Sequence, residues 1–276
     1  MKKVLLATTA LTLSAGFASA DVSMSGTGGA GVFGAAGADL SVYSGVDLGF
    51  SLSGASDTGM TFSASLDMGG GQTLDVGDFE LDTQDMGTDD NTSVAIGVSG
   101  VTITLSQNGV DDLYDDDIAG DIGISGAMGD LTYSVVTGLE DADPTSISIG
   151  YSAGAISGSV ATSDEGDAST VSVTYAMGDI TVSAESDTDR TGADTSTVGL
   201  SYAMGDGMTV SVEESEGVVE ASVAYSSGAI SVGVTADDAA TESWEATMAY
   251  DLGGGATFNL CTNQAYRTFA GVCFSF

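Results

Sequence analysis

The feature that most restricts the fold of this chain is a repeated alternation of apolar and small polar residues. The stretch 171–175 alternates Val and Tyr with Ser and Thr, and after a turn at 176–179 the stretch 180–184 alternates Ile, Val and Ala with Thr and Ser. Because successive side chains of a strand point to opposite faces, this pattern predicts a β-hairpin with one apolar and one small polar face.

The same unit recurs along most of the chain. Further copies occupy 147–160, 198–212, 219–234 and 244–260, and less regular copies turn near 56–59, 99–100 and 128–130. The glycine-containing turns alternate with longer polar stretches, as expected of an antiparallel up-and-down transmembrane β-barrel with short turns on one rim and longer loops on the other. Eight short turns predict eighteen strands, and sixteen strands fit the pattern equally well.

The N-terminus predicts export. Lys2 and Lys3 precede an apolar run at 4–13, and Ala18-Ser19-Ala20 forms an A-x-A cleavage site, so residues 1–20 are expected to be a cleaved signal peptide. No later stretch offers the ~20 consecutive apolar residues of a membrane-spanning helix. Residues 21–276 are therefore expected to form one barrel that crosses the outer membrane with strands.

The charge of the chain excludes several classes of function. Asp and Glu number 40, and after residue 20 the only basic residues are Arg190 and Arg267. Without a basic patch there is nothing to neutralise nucleic-acid phosphates. Histidine is absent, which removes the Ser-His-Asp and His-containing zinc motifs. We do not expect an enzyme.

Tyrosines lie at one height on the apolar face, one to three residues before a turn. Such a ring is typical of the aromatic girdle at a lipid–water boundary, with Trp244 assigned to the opposite girdle. The tyrosines are Tyr151, Tyr175, Tyr202, Tyr225 and Tyr250. The alternative is that Tyr merely favours hairpin ends.

The C-terminal stretch 268–276 places its even-numbered residues on one apolar face and ends with Phe274 and Phe276 on that face. This stretch resembles the terminal strand of outer-membrane barrels. The resemblance implies that the two phenylalanines form the assembly signal read by the barrel-assembly machinery.

Four segments together resemble the general porins of α-proteobacteria, the Rhodobacter type: Phe50–Ser65, Tyr151–Ser157, Tyr250–Ala256 and Phe269–Phe276. The resemblance implies a homotrimer of sixteen-stranded barrels in the outer membrane. Each barrel would be a water-filled channel for small hydrophilic solutes, narrowed by a third loop folded into the lumen. This chain differs in being shorter, in its apparent extra hairpin and in lacking basic residues.

The strand face opposite to the apolar one is expected to line the lumen. It carries mostly Ser, Thr and Gly, and no strand places Lys or Arg there. The acidic residues with this parity are Asp47, Asp67, Asp121, Glu185, Glu213, Glu220 and Glu245. Carboxylates without counter-charges concentrate cations and repel anions, so we expect ion transport that favours cations. For any single residue, a solvated surface carboxylate is an equally good interpretation.

The candidate inward loop is 107–121, which follows the fifth predicted strand. It is expected to supply constriction residues: Asp111, Asp112, Tyr114, Asp115, Asp116 and Asp117. An acidic external loop is the alternative. Carboxylates at this density could hold Ca²⁺, although their spacing defines no site; no other cofactor or metal is expected.

Cys261 and Cys273 share the lumenal parity of the last two strands and enter an oxidising compartment, which predicts a disulfide between them. Two unpaired small residues are the alternative. For the whole chain the competing hypothesis is an exported acidic β-rich structural protein or adhesin without a pore, because such proteins are also rich in Gly, Ser, Thr and Asp.

Overall fold

In a computed structural model, the protein is described at residues 21–77, 79–84, 92–114, 118–139, 144–164 and 168–276. The predicted signal peptide, residues 1–20, lies outside the described residues. The first strands are β1 (Asp21–Gly34), β2 (Ser41–Ala55), β3 (Thr61–Asp75), β4 (Glu80–Gln84), β5 (Thr92–Val98), β6 (Val101–Asp111), β7 (Ala119–Met128), β8 (Leu131–Thr137), β9 (Thr145–Ala153) and β10 (Ile156–Ser163).

The remaining strands follow the same antiparallel order. They are β11 (Ser169–Met177), β12 (Ile180–Thr188), β13 (Asp194–Gly205), β14 (Met208–Ser215), β15 (Val218–Ser227), β16 (Ile230–Asp237), β17 (Trp244–Gly253), β18 (Ala256–Asn263) and β19 (Thr268–Ser275). The described residues contain no helix of the length and apolarity that a membrane crossing requires.

Eighteen of these strands form a closed wall. Each of these eighteen strands pairs with its two neighbours along the wall, and β1 pairs with both β2 and β19, so the wall closes on itself. The exception is β4: among the described residues it pairs with Gly71–Asp75 of β3, while β5 pairs with Thr61–Leu66 of the same strand. The all-β barrel is confirmed, with the higher of the two predicted strand counts.

The two rims of the barrel differ. The predicted short turns follow β2, β5, β7, β9, β11, β13, β15 and β17, all at one end, which we call the turn rim. At Gly207 φ is +82°, and a Cβ there would lie 1.8 Å from the Ser226 carbonyl oxygen, so this turn requires glycine. The opposite end, the loop rim, carries the longer connections, except for the tight turn at Glu216 and Gly217 between β14 and β15.

The outer face is apolar and exposed. Val173 is 50% exposed and Leu200 is 51% exposed, and both alternate with Gly, Ser or Thr on the inner face. A β-sandwich would bury such side chains between its two sheets. An exposed apolar outer surface is instead the surface that a transmembrane barrel presents to lipid.

The barrel closes through glycines on β1. On the outer face, Gly26 and Gly28 are buried because the rings of Phe276 and Phe274 lie over them, within 2.7 Å of where a Cβ would be. Aromatic rings that cover strand glycines in this way restore the packing that glycine alone lacks. The two C-terminal phenylalanines therefore cover the seam between the first and last strands.

Candidate pore and the segments inside it

The inner wall is built from small hydroxyl side chains. Pairs of serines hydrogen-bond across neighbouring strands, with Oγ–Oγ distances of 2.8 Å for Ser159 and Ser172 and 2.6 Å for Ser211 and Ser222. Because these side chains are short and satisfy one another, they leave the interior open and hydrophilic.

Four inward-facing carboxylates lie together on the wall formed by β14 to β17, and we call them the acidic row. Glu220 lies directly opposite Glu213 on one side and Asp237 on the other, and Glu245 follows on the next strand, opposite Thr235. Like charges in direct register repel one another, so this arrangement destabilises the sheet unless cations neutralise it.

Asp237 was not predicted as a lumenal residue, and its carboxylate orders the loop between β16 and β17. Its Oδ1 accepts hydrogen bonds from the backbone N–H of Ala239 at 3.0 Å and of Ser243 at 3.1 Å, and its Oδ2 accepts one from the Ser243 hydroxyl. Asp237 has the same parity as the inward-facing residues of β16, so the alternation along this strand could have identified it as a member of the acidic row.

The other predicted lumenal carboxylates lie elsewhere. Asp47 and Asp67 are neighbours on β2 and β3, close enough to interact. Glu185 stands apart on β12, between Ser172 and Thr197. Asp121 accepts a hydrogen bond from the Leu139 N–H at 2.8 Å, near the loop rim. The structure thus brings together Glu213, Glu220 and Glu245 but distributes the rest around the barrel.

The predicted inward loop between β6 and β7 does run along the inner side of the wall. The Leu113 N–H donates to Oγ of Ser146, a fully buried inward-facing residue of β9, at 2.9 Å. The Tyr114 hydroxyl reaches β12, 3.1 Å from Oδ2 of Asp187 and 3.0 Å from the Thr188 carbonyl oxygen. The described part of the loop therefore reaches β9 and β12 inside the barrel.

Tyr114 is held at its far end by one of the two basic residues of the barrel. The guanidinium of Arg190, in the loop between β12 and β13, lies 6.0 Å from the centre of the Tyr114 ring, a cation–π arrangement. Desolvation, followed by the hydrogen bond to Asp187, raises the pKa of the Tyr114 hydroxyl above its ordinary value. The hydroxyl therefore stays protonated and able to donate.

The sequence predicted that Asp112 lines the constriction. In the structure its carboxylate is buried instead. The residue is 7% exposed, and its Oδ1 accepts a hydrogen bond from the Tyr114 N–H at 2.8 Å, which closes a turn within the loop. Asp111 ends β6. Asp115, Asp116 and Asp117 lie outside the described residues.

A second inward segment was not predicted. After Gly71 the chain leaves the wall and forms a hairpin from β3 and β4, whose described residues, 71–77 and 79–84, we call the lumenal hairpin. Gly71 has φ of +84°, and a Cβ there would lie 2.2 Å from the Ser44 carbonyl oxygen; at the inward-facing Gly45, a Cβ would lie 2.5 Å from the Gln72 carbonyl oxygen. Glycine at both positions lets the hairpin cross the inner face of β2.

One face of the lumenal hairpin is apolar and packs on the adjoining wall formed by β1, β18 and β19. Phe79 is 2% exposed and its ring centroid lies 6.4 Å from that of the fully buried Phe269 on β19. Cys261 belongs to the same cluster, and Phe33, Leu74, Val76 and Leu81 pack against it. Nη1 of Arg267 donates to the Phe79 carbonyl oxygen at 3.3 Å.

The other face of the lumenal hairpin is polar and acidic. Asp75 lies opposite Glu80, and Thr73 lies opposite Asp82, on the face away from Leu74 and Leu81. The signal that could have revealed this hairpin is the run Gly69-Gly70-Gly71, which interrupts a strand and precedes a short alternating stretch.

The predicted girdle residues are exposed on the outer face. The tyrosines lie near the turn rim and are 40% to 46% exposed: Tyr151, Tyr175, Tyr202, Tyr225 and Tyr250. Trp244 begins β17 at the loop rim and is 43% exposed. Contact of these residues with lipid headgroups remains a prediction.

The predicted disulfide is not formed. Cys261 and Cys273 are both free, and the register of β18 and β19 places Cys261 opposite Phe269 and Cys273 opposite Thr257. Their Cα positions are therefore offset by four residues along the strands, about 13 Å at the usual rise per residue, whereas a disulfide needs Cα atoms within about 7 Å. Shared parity was necessary for the bond but did not fix the register.

Among the described residues, no group of three or more Asp, Glu and Cys side chains is arranged to hold a metal ion. The Ca²⁺ possibility rested in part on residues 115–117, outside the described part of the chain, and stays a prediction.

Comparison with known proteins agrees with this architecture. The family model of the Gram-negative porins matches residues 7–268. A mutant of Rhodopseudomonas blastica porin aligns at a TM-score of 0.60 with 16% identity, covering 93% of this chain and 100% of that one. A triple mutant of the same porin aligns at 0.60 with 17% identity and the same coverage. At this identity the structural likeness concerns the fold alone.

The search of curated proteins gives no match. The family match covers most of the sequence, and the closed barrel with an apolar outer face and inward segments agrees with it. The chain therefore belongs to the family of Gram-negative porins, which are outer-membrane β-barrels.

Proposed function

We propose that this porin is a general diffusion channel that favours small cations over anions. The observation that carries the proposal is the one-sided charge of the inner face. Glu213, Glu220 and Glu245 share one wall, Asp47 and Asp67 share another, and the sequence places no Lys or Arg in any strand. Uncompensated carboxylates in a confined space raise the local concentration of cations.

The two arginines offset only a small part of this charge. Arg190 and Arg267 lie in connections at the loop rim, where one stacks on Tyr114 and the other donates to the Phe79 carbonyl. The polar face of the lumenal hairpin adds Asp75, Glu80 and Asp82 to the interior. A solute entering from the loop rim would therefore meet carboxylates on both the wall and the hairpin.

The test is the reversal potential of the purified protein in a planar lipid bilayer with a KCl gradient. We expect steps of conductance and a reversal potential of the sign that K⁺ selectivity produces. A reversal potential of the opposite sign would contradict the charge argument, whereas the absence of conductance would favour the exported structural protein or adhesin without a pore.

Cleavage after Ala20, assembly into a homotrimer and recognition by the barrel-assembly machinery are further parts of the proposal. Mass spectrometry of the membrane-extracted protein should give a chain that begins at Asp21. Light scattering of the detergent complex should give the mass of three chains, and a mass of one chain would contradict the trimer.

A further inference from the structure

The lumenal hairpin lies inside the barrel, where it could narrow a channel. The inference drawn from its position rests on the proposed function as a diffusion porin. The hairpin leaves the wall at Gly71, crosses the inner face of β2 and packs against β1, β18 and β19. It therefore occupies part of the lumen beside this wall.

Two independent contacts hold the hairpin in place. The first is the docking site formed by Phe33, Cys261 and Phe269, on which the apolar face of the hairpin is buried; the rings of Phe33 and Phe269 are 4.8 Å apart. Burial of this apolar face removes it from the water of the lumen. The second is the hydrogen bond from Arg267 to the Phe79 carbonyl oxygen.

The tip of the hairpin faces the acidic row across an open gap. A cavity of about 370 Å³ separates Gly77 and Phe79 from Glu220, Glu245 and Asn263. A second cavity of about 350 Å³ extends from Val76 towards Gly207 and Ser226 at the turn rim. Each volume corresponds to on the order of ten water molecules, so a hydrated ion has room on either side of the tip.

We propose that the lumenal hairpin sets the width of the passage, with Arg267 as its positioning residue. Solutes then cross between the hairpin tip and the wall of β15 to β17, and they meet Glu220 and Glu245 at the narrowest point. The loop that carries Tyr114 occupies a different sector, next to β9 and β12.

The two cysteines of the chain can be used to test whether the hairpin is docked. Cys261 is 1% exposed beneath the hairpin, whereas Cys273, on the same inner face, is half-buried. In the folded protein in detergent, a charged methanethiosulfonate reagent should modify Cys273 and leave Cys261 unmodified. Equal labelling of both thiols would show that the hairpin is not docked and would overturn the proposal.

The decisive experiment combines thiol labelling with single-channel conductance of the full-length protein. We expect Phe79→Ala to increase the rate of Cys261 labelling by at least about tenfold, because a buried aromatic contact is lost. We expect the conductance of the same variant to rise by about twofold, because the hairpin no longer fills part of the bore. Phe62→Ala, on the exposed outer face, is the matched control and should change neither.

Arg267→Gln provides a second route if Phe79→Ala does not fold, as judged by the difference in gel mobility between boiled and unboiled protein. Arg267→Gln should increase both the rate of Cys261 labelling and the single-channel conductance. A wild-type protein that conducts, with variants that expose Cys261 but leave the conductance unchanged, would overturn only this inference. A wild-type protein that passes no current would overturn the proposed function and this inference with it.

Discussion

Phe276 and Gly26 exchange two backbone hydrogen bonds, each 3.0 Å long, across the seam between the last and first strands. A reciprocal pair of this kind is the hydrogen-bonded pair of an antiparallel ladder, in which two opposite residues exchange both N–H···O bonds. The Phe276 ring then lies over Gly26, together with the side chain of Leu48. The closing of the barrel therefore depends on a position without a side chain.

Gly26→Ala should weaken this seam. The new Cβ would lie 2.7 Å from both the Phe276 ring and the Leu48 side chain, and 3.0 Å from the Asp47 carbonyl oxygen. We expect the free energy of unfolding to fall by about 1–3 kcal/mol. The measurement is the temperature at which heating changes the gel mobility, which should be lower in the variant. Gly70→Ala, where no atom lies within 4 Å of the place that a Cβ would take, should leave this temperature unchanged.

Neutralising the acidic row should reduce the cation preference. The double variant Glu220→Gln and Glu245→Gln keeps the shape of both side chains and removes two charges from β15 and β17. We expect the ratio of K⁺ to Cl⁻ permeability to fall by about two- to threefold. The control is Glu242→Gln, which removes a charge from an exposed loop residue and should change the permeability ratio little. If this control lowers the ratio as much as the double variant does, the selectivity does not arise from the acidic row.

The loop between β12 and β13 should loosen in acid. Asp189 accepts hydrogen bonds from the Thr191 hydroxyl at 2.7 Å and the Ala193 N–H at 2.8 Å, and these bonds lower the pKa of its carboxyl below the ordinary value of 3.8. A lowered pKa means that the ionised carboxylate stabilises the folded loop above about pH 4 and that this stabilisation is lost as the pH falls through the lowered value.

Hydrogen exchange of residues 189–193 measures this effect. We expect faster exchange, after correction for intrinsic rates, at pH 3 than at pH 6. Asp189→Asn should make the corrected rates the same at both pH values. A loop that is equally protected at both pH values in the wild type would contradict the assignment.

Trp244 should lie at the lipid–water boundary. It is the single tryptophan of the chain, it begins β17 at the loop rim, and its ring is exposed on the outer face. We expect its fluorescence in vesicles to be quenched by lipids brominated near the headgroup more strongly than by lipids brominated near the chain ends. If the lipids brominated near the acyl-chain ends quench most strongly, Trp244 lies deep in the bilayer and the prediction is wrong.

The wall of the barrel could be predicted because its information is local. Alternation within 171–184 specifies a hairpin, its faces and its turn without reference to the rest of the chain, and the pairing of β11 with β12 follows it. The exposure of Tyr175 and Tyr202 agrees with the same alternation. Repetition of this local signal predicted sixteen or eighteen strands, and the wall has eighteen.

The interior could not be predicted in the same way, because its contacts join distant parts of the chain. The stretch 72–84 alternates like a wall strand, and only the close approach of Gly45 to Gln72 and the packing of Phe79 on Phe269 direct it inward. Parity placed both cysteines correctly on the inner face but could not give the four-residue offset in register. Asp112 was misjudged because its carboxylate closes a turn.

The bond from Arg267 to the Phe79 carbonyl has one further consequence, because its acceptor carries no net charge. Added electrolyte shortens the range of charge–charge forces to about 8 Å at 0.15 M and about 3 Å at 1 M but has far less effect on a hydrogen bond and apolar contacts. Ionic strength should therefore separate two properties of this channel: the preference for cations fades in concentrated salt, while the geometry of the opening persists.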